Sequence, residues 1–370
     1  MRITPWVTRI AFPALCCATG LLQAQALFIG TYTNTVAHSR GIYSAQFDSN
    51  TGALTGLTVA AETVNPSFLA RHPSRPFLYA VNEVPDGSVS SFAIDPKGEL
   101  RFMGSSSTGG AAPCHLIVDH SGKWLLVANY NGGSIAVMPI LPDGRAGEPT
   151  VIPHSGSGPH PRQKGPHPHE IVELPGNIIL VPDLGADRIA RYVLNTADGN
   201  LSPATPAEIR LPPGSGPRHL VPSANGKRLY TLSELANTVT VIEASENNTG
   251  RILETASLLP PDSAVRGTAA EIVMHPNGRY LYASTRGADN IVVFVIDRGT
   301  GKLTRSGSVP TGAGPRFFTI DASGKWLLAA GQVSNTITVF AIDPATGLLN
   351  PRPNSISVPA PVFMGATAPR

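Results

Sequence analysis

The chain carries little charge and few aromatic residues for its length. Of its 370 residues, 14% are charged and 6% are aromatic, and the formal net charge is only +3. Nucleic-acid-binding proteins usually concentrate Lys and Arg in a basic stripe interleaved with aromatic rings, and the sequence has no such stripe. We therefore predict no nucleic-acid partner.

Cysteine is also scarce. Cys16 and Cys17 lie in a segment that has the pattern of a signal peptide, which leaves Cys114 alone in the remaining chain. An intramolecular disulfide is then impossible. Although Cys114 precedes a histidine, a lone Cys of this kind more often packs as a small hydrophobe than acts as a nucleophile.

No apolar run is long enough to predict a membrane span. The longest N-terminal run, from Ile10 to Leu22, follows Arg2 and Arg9 and ends near the small-x-small sequence Ala24-Gln25-Ala26. This is the pattern of a cleavable signal. We predict a signal peptide over residues 1–26 and a periplasmic or secreted mature chain over 27–370; an uncleaved anchor is the alternative.

Long helical periodicities and linkers are absent, whereas 37 Gly and 35 Pro separate short β-branched runs. This composition is typical of an all-β protein. Within it, seven units recur at spacings of 46 to 55 residues, the period of a β-propeller blade. We number blades one to seven from the residues that begin these units: Pro66, Pro113, Pro168, Pro217, Ala269, Pro315 and Pro361.

The two ends of the chain complement each other. The segment from Leu27 resembles the second strand of later units, and the segment from Pro361 supplies only a first strand. Pairing them would complete a seventh blade and leave no open edge. We predict a single seven-bladed β-propeller, closed by its terminal strands, and a monomer.

Polar residues recur at one face of this propeller. First strands line the central channel, and their starts meet the ends of the second strands at the same face. Buried ionisable groups cost desolvation unless they are paired or used. The pairs that follow the seven unit starts are Ser67-Phe68, Cys114-His115, His169-Glu170, Arg218-His219, Ala270-Glu271, Arg316-Phe317 and Val362-Phe363. The second strands end in Asn82-Glu83, Asn129-Tyr130, Asp183, Ser233-Glu234, Arg286 and Gln332.

Two interpretations of these rings are open. Glu170 and Glu271 could form salt bridges with Arg218 and Arg316 that only hold the blades together. Alternatively, the residues form a functional site. The charges gather in blades three to six, whereas Phe68 and Phe363 face them, and this uneven distribution favours a pocket with one polar side.

Seven phrases of the sequence carry a family resemblance, and they begin at Phe28, Pro113, Val127, His167, Val181, Gly216 and Ala270. They resemble the seven-bladed β-propeller lactonase family, which includes bacterial 6-phosphogluconolactonase and fungal carboxy-cis,cis-muconate cyclase. The resemblance implies an enzyme without metal or cofactor that opens or closes a lactone ring on a small anionic molecule. It implies site residues His115, His169, Glu170, Arg218, His219 and Glu271.

Lactone hydrolysis needs a base, a donor for the developing oxyanion and an acid for the leaving alkoxide. We assign Glu170 or Glu271 as base, Arg218 as oxyanion partner, and His115 or His169 as acid. Arg316 and Arg286 would hold a phosphate or carboxylate. The remaining predicted substrate-binding residues are His219, Asp183, Asn129, Tyr130 and His167. The sequence has no Gly-x-Ser-x-Gly elbow, so a serine hydrolase has no support.

A Pro-rich insertion over residues 153–170 offers His154, His160, His167 and His169 to a metal. Their spacing is loose and the loop is poorly preorganised, so we predict no metal. We expect the loop to cap the channel mouth, with His167 and Lys164 adding positive charge.

The sequence thus predicts a lactonase that hydrolyses a sugar-type lactone at the channel mouth. A non-catalytic binding propeller of the cell envelope and a muconate-type lactonising cycloisomerase are the alternatives. Export argues against a phosphorylated sugar lactone as the physiological substrate, because phosphosugars are normally kept inside cells.

Overall fold

The computed structural model describes residues 25–244, 250–260, 263–264, 267–353 and 355–366. These residues form strands arranged in seven sheets, and no helix occurs among them. Each sheet is one blade, so the prediction of a seven-bladed β-propeller is confirmed.

In each blade the strands follow one another from the channel outward. Blade one contains β4 (Leu69–Arg71), β5 (Phe77–Asn82), β6 (Ser88–Ile94) and β7 (Leu100–Ser107); blade two contains β8 (Pro113–Val118), β9 (Trp124–Asn129), β10 (Ser134–Pro139) and β11 (Thr150–Pro153). Blade three contains β12 (Val172–Leu174), β13 (Ile178–Asp183), β14 (Arg188–Leu194) and β15 (Leu201–Arg210); blade four contains β16 (Pro217–Pro222), β17 (Arg228–Ser233), β18 (Thr238–Glu243) and β19 (Ile252–Ser257). Blade five contains β20 (Thr268–Met274), β21 (Tyr280–Arg286), β22 (Asn290–Ile296) and β23 (Leu303–Pro310). Blade six contains β24 (Pro315–Ile320), β25 (Trp326–Gly331), β26 (Thr336–Ile342), β27 (Leu349–Pro351) and β28 (Ile356–Ser357). Blade seven contains β29 (Pro361–Ala366), β1 (Gln25–Thr31), β2 (Gly41–Asp48) and β3 (Ala53–Glu62).

Blade seven joins the two ends of the chain, as predicted. Strand β29 pairs antiparallel with β1, from Leu27 opposite Ala366 to Thr31 opposite Pro361. Strand β1 begins at Gln25, two residues before the predicted mature N-terminus. The rest of the predicted signal peptide, residues 1–24, lies outside the described residues, so the cleavage site stays a prediction.

The apolar core is divided among the blade interfaces. In the described part of the chain, seven clusters of buried side chains occur, one between each pair of neighbouring blades. Tyr230 and Phe294, for example, pack between blades four and five. Because each blade buries its two faces against its neighbours, stability depends on the ring being closed.

In several blades, an aromatic residue on the second strand also hydrogen-bonds to the outer turn of the next blade. The indole nitrogen of Trp326 donates to Ser49 O at 2.8 Å, in the outer turn of blade seven. Gly52 in that turn has φ +74° and lies so close to the Trp326 ring that a Cβ would meet it at 2.7 Å. Trp124 makes the same contact with blade three through Thr196 O. A side chain at Gly52 would therefore separate two blades.

Glycine with a positive φ occupies the first hairpin corner of several blades. Gly122, Gly226 and Gly278 all have φ between +67° and +70°. At the next corner Gly133 has a positive φ in blade two, and Asn237 takes this conformation in blade four. Asn tolerates the left-handed region because its short polar side chain hydrogen-bonds locally.

A β-bulge near the start of the inner strand recurs in five blades. In blade two, Pro113 pairs with Asn129 and His115 pairs with Ala128, so Cys114 has no partner of its own. The same irregularity occurs in blades four, five, six and seven. A bulge changes the direction of the side chains beside it. It therefore determines where the predicted site residues point.

Candidate active site at the channel mouth

In the predicted pairs His169-Glu170 and Arg316-Phe317, the two neighbouring residues line different cavities. The first residues Cys114, His169 and Arg316 line a cavity of about 190 Å³ at the face where inner strands begin, which we call the upper pocket. The second residues line a cavity of about 630 Å³ that extends along the inner strands, which we call the lower cavity. These second residues are Phe68, Glu170, His219, Glu271, Phe317 and Phe363. The residues of the predicted first ring are therefore divided between two cavities, because neighbouring residues at the strand starts point in different directions.

The upper pocket contains more arginine than carboxylate. Arg162, Arg286 and Arg316 line it together with Glu83 and Glu234. Arg218 lies against the pocket, with its Nε 3.0 Å from Glu234 Oε2. Four guanidinium groups against two carboxylates leave an excess of positive charge, which suits an anionic ligand. The other lining residues are Tyr32, Cys114, Tyr130 and His169.

Glu234 is the common partner of three of these arginines. Its Oε1 lies 2.6 Å from Arg162 Nη1 and 3.1 Å from Arg286 Nη2, and Arg218 approaches Oε2. Burial alone would raise the pKa of Glu234, but the charges of Arg286, Arg218 and Arg162 lower it to about 2. Glu234 is therefore a permanent carboxylate that holds the arginines in position.

Arg316 differs from the other three arginines. Among the described residues its side chain forms no hydrogen bond or ion pair, and its guanidinium carbon lies 5.3 Å from the centre of the Tyr32 ring. The nearby Glu83 is engaged elsewhere, since its Oε2 accepts hydrogen bonds from Tyr32 at 2.8 Å and Ser67 at 2.5 Å. Arg316 is therefore the cation of the pocket with donors free for a ligand.

His169 supplies a neutral imidazole to the same pocket. Burial, followed by the charges of Arg218 and His219, holds the pKa of His169 well below 6.5. Its Nδ1 is buried without a hydrogen-bond partner among the described residues, and its ring packs edge-on against Tyr130 with centroids 5.4 Å apart. At neutral pH the ring is unprotonated, the form that a general base requires.

Three predicted substrate-binding residues have structural partners instead. Asn129 is fully buried and its Nδ2 donates to Ser134 Oγ at 3.2 Å. Asp183 is fully buried, and its Oδ2 accepts from His154 Nδ1 at 2.8 Å while its Oδ1 accepts from the His167 backbone N–H at 2.7 Å. His167 Nδ1 donates to Tyr130 O at 2.8 Å. Neither Asn129 nor Asp183 lines the upper pocket; the amide nitrogen of Asn129 and the carboxylate of Asp183 bind neighbouring groups instead.

A layer of rings separates the two cavities. Phe68 lies 4.1 Å from His115 and 4.4 Å from Phe363 between ring centroids, and His219 lies 5.2 Å from His169. His115 Nδ1 accepts a hydrogen bond from the Ile171 backbone N–H at 3.3 Å. Packed in this layer, His115 lines neither cavity, so it is poorly placed for the predicted role of acid.

The predicted bases Glu170 and Glu271 lie on the other side of this layer. His219 Nδ1 is 2.8 Å from Glu271 Oε1 and 3.9 Å from Glu170 Oε1. Burial raises the pKa of Glu271 to about 8, against the opposing charge of Arg218, and burial with the charge of Glu271 raises the pKa of Glu170 well above its usual range. Both carboxyl groups therefore favour the protonated form at neutral pH, which is unsuited to a base.

The structure also gives other partners to the residues that the salt-bridge interpretation had paired. Within the described ranges, no ion pair joins Glu170 or Glu271 to Arg218 or Arg316; the carboxylate that pairs with Arg218 is Glu234.

Burial raises the pKa of the Cys114 thiol, so its thiolate is disfavoured as a nucleophile. In the part of the chain that the structure covers, no cluster of three or more His, Cys, Asp or Glu side chains is placed to hold a metal ion.

Sequence reasoning missed Arg162 altogether and left Glu234 without a role. Arg162 belongs to the predicted cap over the channel mouth, and it reaches both Glu234 and the Tyr130 hydroxyl. The charge expected from His167 and Lys164 thus comes from a different residue. The position of Glu234 in the second ring was visible in the sequence, but its arginine partners are not adjacent in sequence and could not be recognised there.

The sequence and the fold are matched in known proteins. A sequence profile described as "Lactonase, 7-bladed beta-propeller" matches residues 26–365. The chain belongs to this family. The predicted resemblance, and with it the prediction of a lactonase-type enzyme, is confirmed.

Relatives of this lactonase-family chain cover almost its whole length. The 6-phosphogluconolactonase of Bacillus subtilis (strain 168) is 33% identical over 341 residues, which cover 90% of this chain and 96% of that protein. The structure of the periplasmic gluconolactonase PpgL of Pseudomonas aeruginosa is 34% identical with a TM-score of 0.88, covering 93% of this chain and 99% of that one. A putative 6-phosphogluconolactonase from Bacteroides fragilis is 36% identical with a TM-score of 0.87, covering 94% and 99%.

Membrane association through a helix has no candidate in the described residues. None of them forms a helix with the length and apolar character to cross a bilayer.

Proposed function

We propose that this lactonase-family enzyme hydrolyses a sugar-type lactone bearing a phosphate or carboxylate group, and that the reaction takes place in the upper pocket. The observation that carries the proposal is the combination of a neutral imidazole, His169, with an unpaired guanidinium, Arg316, in one pocket. The names of the relatives support lactone hydrolysis.

Binding begins with the anionic group. Arg316 has donors without protein partners in the described part of the chain, and a guanidinium binds phosphate or carboxylate through two parallel hydrogen bonds. Arg286 lies on the same pocket wall, where burial lowers its pKa to about 10, so it remains charged at neutral pH. These two cations would orient the lactone with its carbonyl toward Glu234 and its arginines.

His169 then transfers the proton. Its neutral ring removes a proton from water as the water oxygen attacks the carbonyl carbon, and an oxyanion forms at the carbonyl oxygen. When the ring carbon–oxygen bond breaks, the imidazolium returns the proton to the leaving alkoxide, which gives the open hydroxy acid. One side chain thus serves as base and then as acid.

The guanidinium of Arg218 or Arg286 would stabilise the oxyanion. Both are fixed before substrate arrives, Arg286 by Ala269 O at 3.0 Å and Arg218 by Ala270 O, and both are ion-paired to Glu234. Cations that need no reorganisation at the moment of reaction lower the barrier most effectively. Arg218 thus keeps the role of oxyanion partner that the sequence suggested for it.

We assign the base to His169, and not to the glutamates predicted from the sequence, for two reasons. Glu170 and Glu271 line a different cavity from Arg286 and Arg316, and the ring layer of Phe68, His115 and His219 lies between them. Their raised pKa values also keep a proton on each carboxyl at neutral pH.

A substrate screen tests the proposal. The purified mature chain is assayed with 6-phosphoglucono-δ-lactone, the carboxylate-bearing D-glucaro-1,4-lactone and neutral glucono-δ-lactone. We expect kcat/KM at least about tenfold higher for one of the anionic lactones than for the neutral one, the effect of one charge-assisted hydrogen bond. Failure to hydrolyse any of the three, or preference for the neutral lactone, would contradict it.

We also propose that the chain is exported, which the periplasmic relative supports. In that case D-glucaro-type carboxylate lactones are the better physiological candidates, because phosphosugars are retained in the cytoplasm. Mass spectrometry of the secreted chain should give Leu27 as its first residue. A chain that retains residues 1–26 would contradict the proposed cleavage.

A further inference from the structure

We propose that Arg162 is an exchangeable clamp: the anionic group of the substrate replaces Glu234 as its partner, and this exchange makes the enzyme selective for anionic lactones. The inference rests on the proposed function. It assigns a specificity-determining role to a residue of the loop over residues 154–171, between β11 and β12.

The loop that carries Arg162 is firmly anchored. Gln163 is fully buried, and its Nε2 donates to Leu184 O at 2.8 Å and to Asp187 Oδ1 at 2.7 Å. His154, at the start of the loop, is held between Asp183 and Tyr192, at 2.8 Å and 3.0 Å. The backbone at Arg162 is therefore fixed to blade three, and the side chain is the part that can move.

That side chain extends over the upper pocket and contacts two other blades. Nη1 of Arg162 donates to Glu234 Oε1 of blade four at 2.6 Å, and Nη2 donates to the Tyr130 hydroxyl of blade two at 2.9 Å. Its side chain is 42% exposed, whereas those of Arg286 and Arg218 are 21% and 3% exposed. Of the three arginines on Glu234, Arg162 is the one on the solvent side.

Exchange of partner leaves the carboxylate of Glu234 paired. When Arg162 turns away, Glu234 keeps Arg286 on Oε1 and Arg218 on Oε2. Arg162 is the most exposed of the three partners of Glu234, so solvent screens this ion pair more than the pairs with Arg286 and Arg218. A phosphate or carboxylate enclosed by Arg162 and Arg316 would form charge-assisted hydrogen bonds that are stronger. A neutral lactone offers no such group, so Arg162 would stay on Glu234.

The clamp therefore acts on selectivity. An anionic substrate gains a further guanidinium from the solvent side of the pocket, in addition to Arg316 of the inner strand β24, while a neutral substrate gains nothing. The contribution is made to the non-reacting group and is equal in the ground state and the transition state. Such an interaction lowers KM more than it raises kcat.

Arg162→Gln and Arg162→Lys test the clamp. We expect Arg162→Gln to raise KM for the preferred anionic lactone about tenfold or more, with a much smaller change in kcat, and to lower the anionic-to-neutral ratio of kcat/KM accordingly. The lysine variant should recover part of this, since its ammonium is a single point charge. Arg210→Gln is the matched control: Arg210 is 79% exposed on β15, pairs with Glu208 and does not line the pocket.

Calorimetric titration with inorganic phosphate separates the clamp from the reaction. Arg162→Gln should bind phosphate about tenfold more weakly than the parent and the Arg210→Gln control. Unchanged phosphate affinity together with an unchanged selectivity ratio would overturn the clamp even if lactones are hydrolysed. Weakened phosphate binding in a chain that hydrolyses none of the lactones would support the clamp and contradict the proposed reaction.

Discussion

The upper pocket and the lower cavity each contain a buried glutamate, but the first is ionised and the second is protonated. In the upper pocket the carboxylate of Glu234 has its pKa lowered to about 2 by Arg286, Arg218 and Arg162. In the lower cavity burial raises the pKa of the Glu271 carboxyl to about 8, and the charge of Arg218 offsets this only in part. The difference shows that the partner, and not burial alone, decides the charge of a buried acid.

This contrast separates ligand binding from packing. Excess guanidinium and a neutral imidazole make the upper pocket receptive to an anion that reacts with water. The lower cavity has protonated carboxyl groups beside the rings of Phe68, Phe317 and Phe363, where neutral groups are the stable arrangement. Variants of each cavity should therefore change different properties of the enzyme.

Loss of ring closure should abolish both cavities. Removing residues 361–370 deletes β29, which pairs with β1 and packs against β24. The cluster between blades six and seven would lose Met364, and the chain should no longer unfold cooperatively. Thermal unfolding followed by circular dichroism measures this; a normal transition in the truncated chain would contradict closure.

Removal of the imidazole from the upper pocket should give the largest effect that leaves the fold intact. His169→Asn should lower kcat by about 10²-fold or more, the scale of general acid–base catalysis. The melting temperature should change little, because His169 Nδ1 has no described hydrogen-bond partner to lose. If turnover equals that of the parent, His169 does not transfer the proton.

Removal of the unpaired cation should affect binding of the anion. Arg316→Gln should raise KM for an anionic lactone by roughly 10- to 100-fold, because hydrogen bonds to charged groups contribute about 1.5–3 kcal/mol. Its matched control is Arg279→Gln, an arginine outside the pocket whose guanidinium lies over Tyr280. Equal KM values for the two variants would remove the anion-binding role of Arg316.

The carboxyl groups of the lower cavity should matter for stability and little for turnover. Glu271→Gln and Glu170→Gln should each change kcat/KM less than about threefold, an effect too small for the loss of a general base. A tenfold or greater loss in either variant would return the base to the lower cavity.

The pH dependence of stability gives a second readout of the lower cavity. Because Glu271 keeps its proton up to about pH 8 in the folded chain but only to about 4.5 when unfolded, the stability it contributes decreases as pH rises from 4.5 to 8. Glu271→Gln should therefore show a flatter melting-temperature profile over this window than the parent. Parallel profiles would indicate that Glu271 is ionised in the folded state.

The loss of activity at low pH should report the protonation of His169 in the upper pocket. Protonation of His169 inactivates the base, and its pKa lies well below 6.5. Activity in kcat/KM should therefore persist below pH 6.5 and fall only as pH passes through that lowered value. A limb centred at or above pH 6.5 would contradict the neutral, desolvated state of the ring.

The blade repeat and its closure could be predicted because each blade repeats the same turns and apolar strands. The residues of the site could also be named, since His169, Arg218, Arg286 and Arg316 all occupy ring positions. Their division between two cavities could not be predicted. It depends on bulges such as the one at Cys114, where the pairing of the backbone, and not the identity of the residue, sets the direction of the side chains.

Arg162 was unpredictable for a different reason. Its loop has no repeat against which a position could be aligned, and its contact with Glu234 joins residues 72 positions apart. Loops of this kind carry functional residues on a rigid scaffold, but their side-chain directions follow from tertiary anchors such as Gln163.

A crystal structure of the protein with its aldonate product tests the central claim most directly. The account predicts the product in the upper pocket, with its anionic group within hydrogen-bonding distance of Arg316 and its carboxylate beside His169. Product bound only in the lower cavity, beside Glu170 and Glu271, would contradict it.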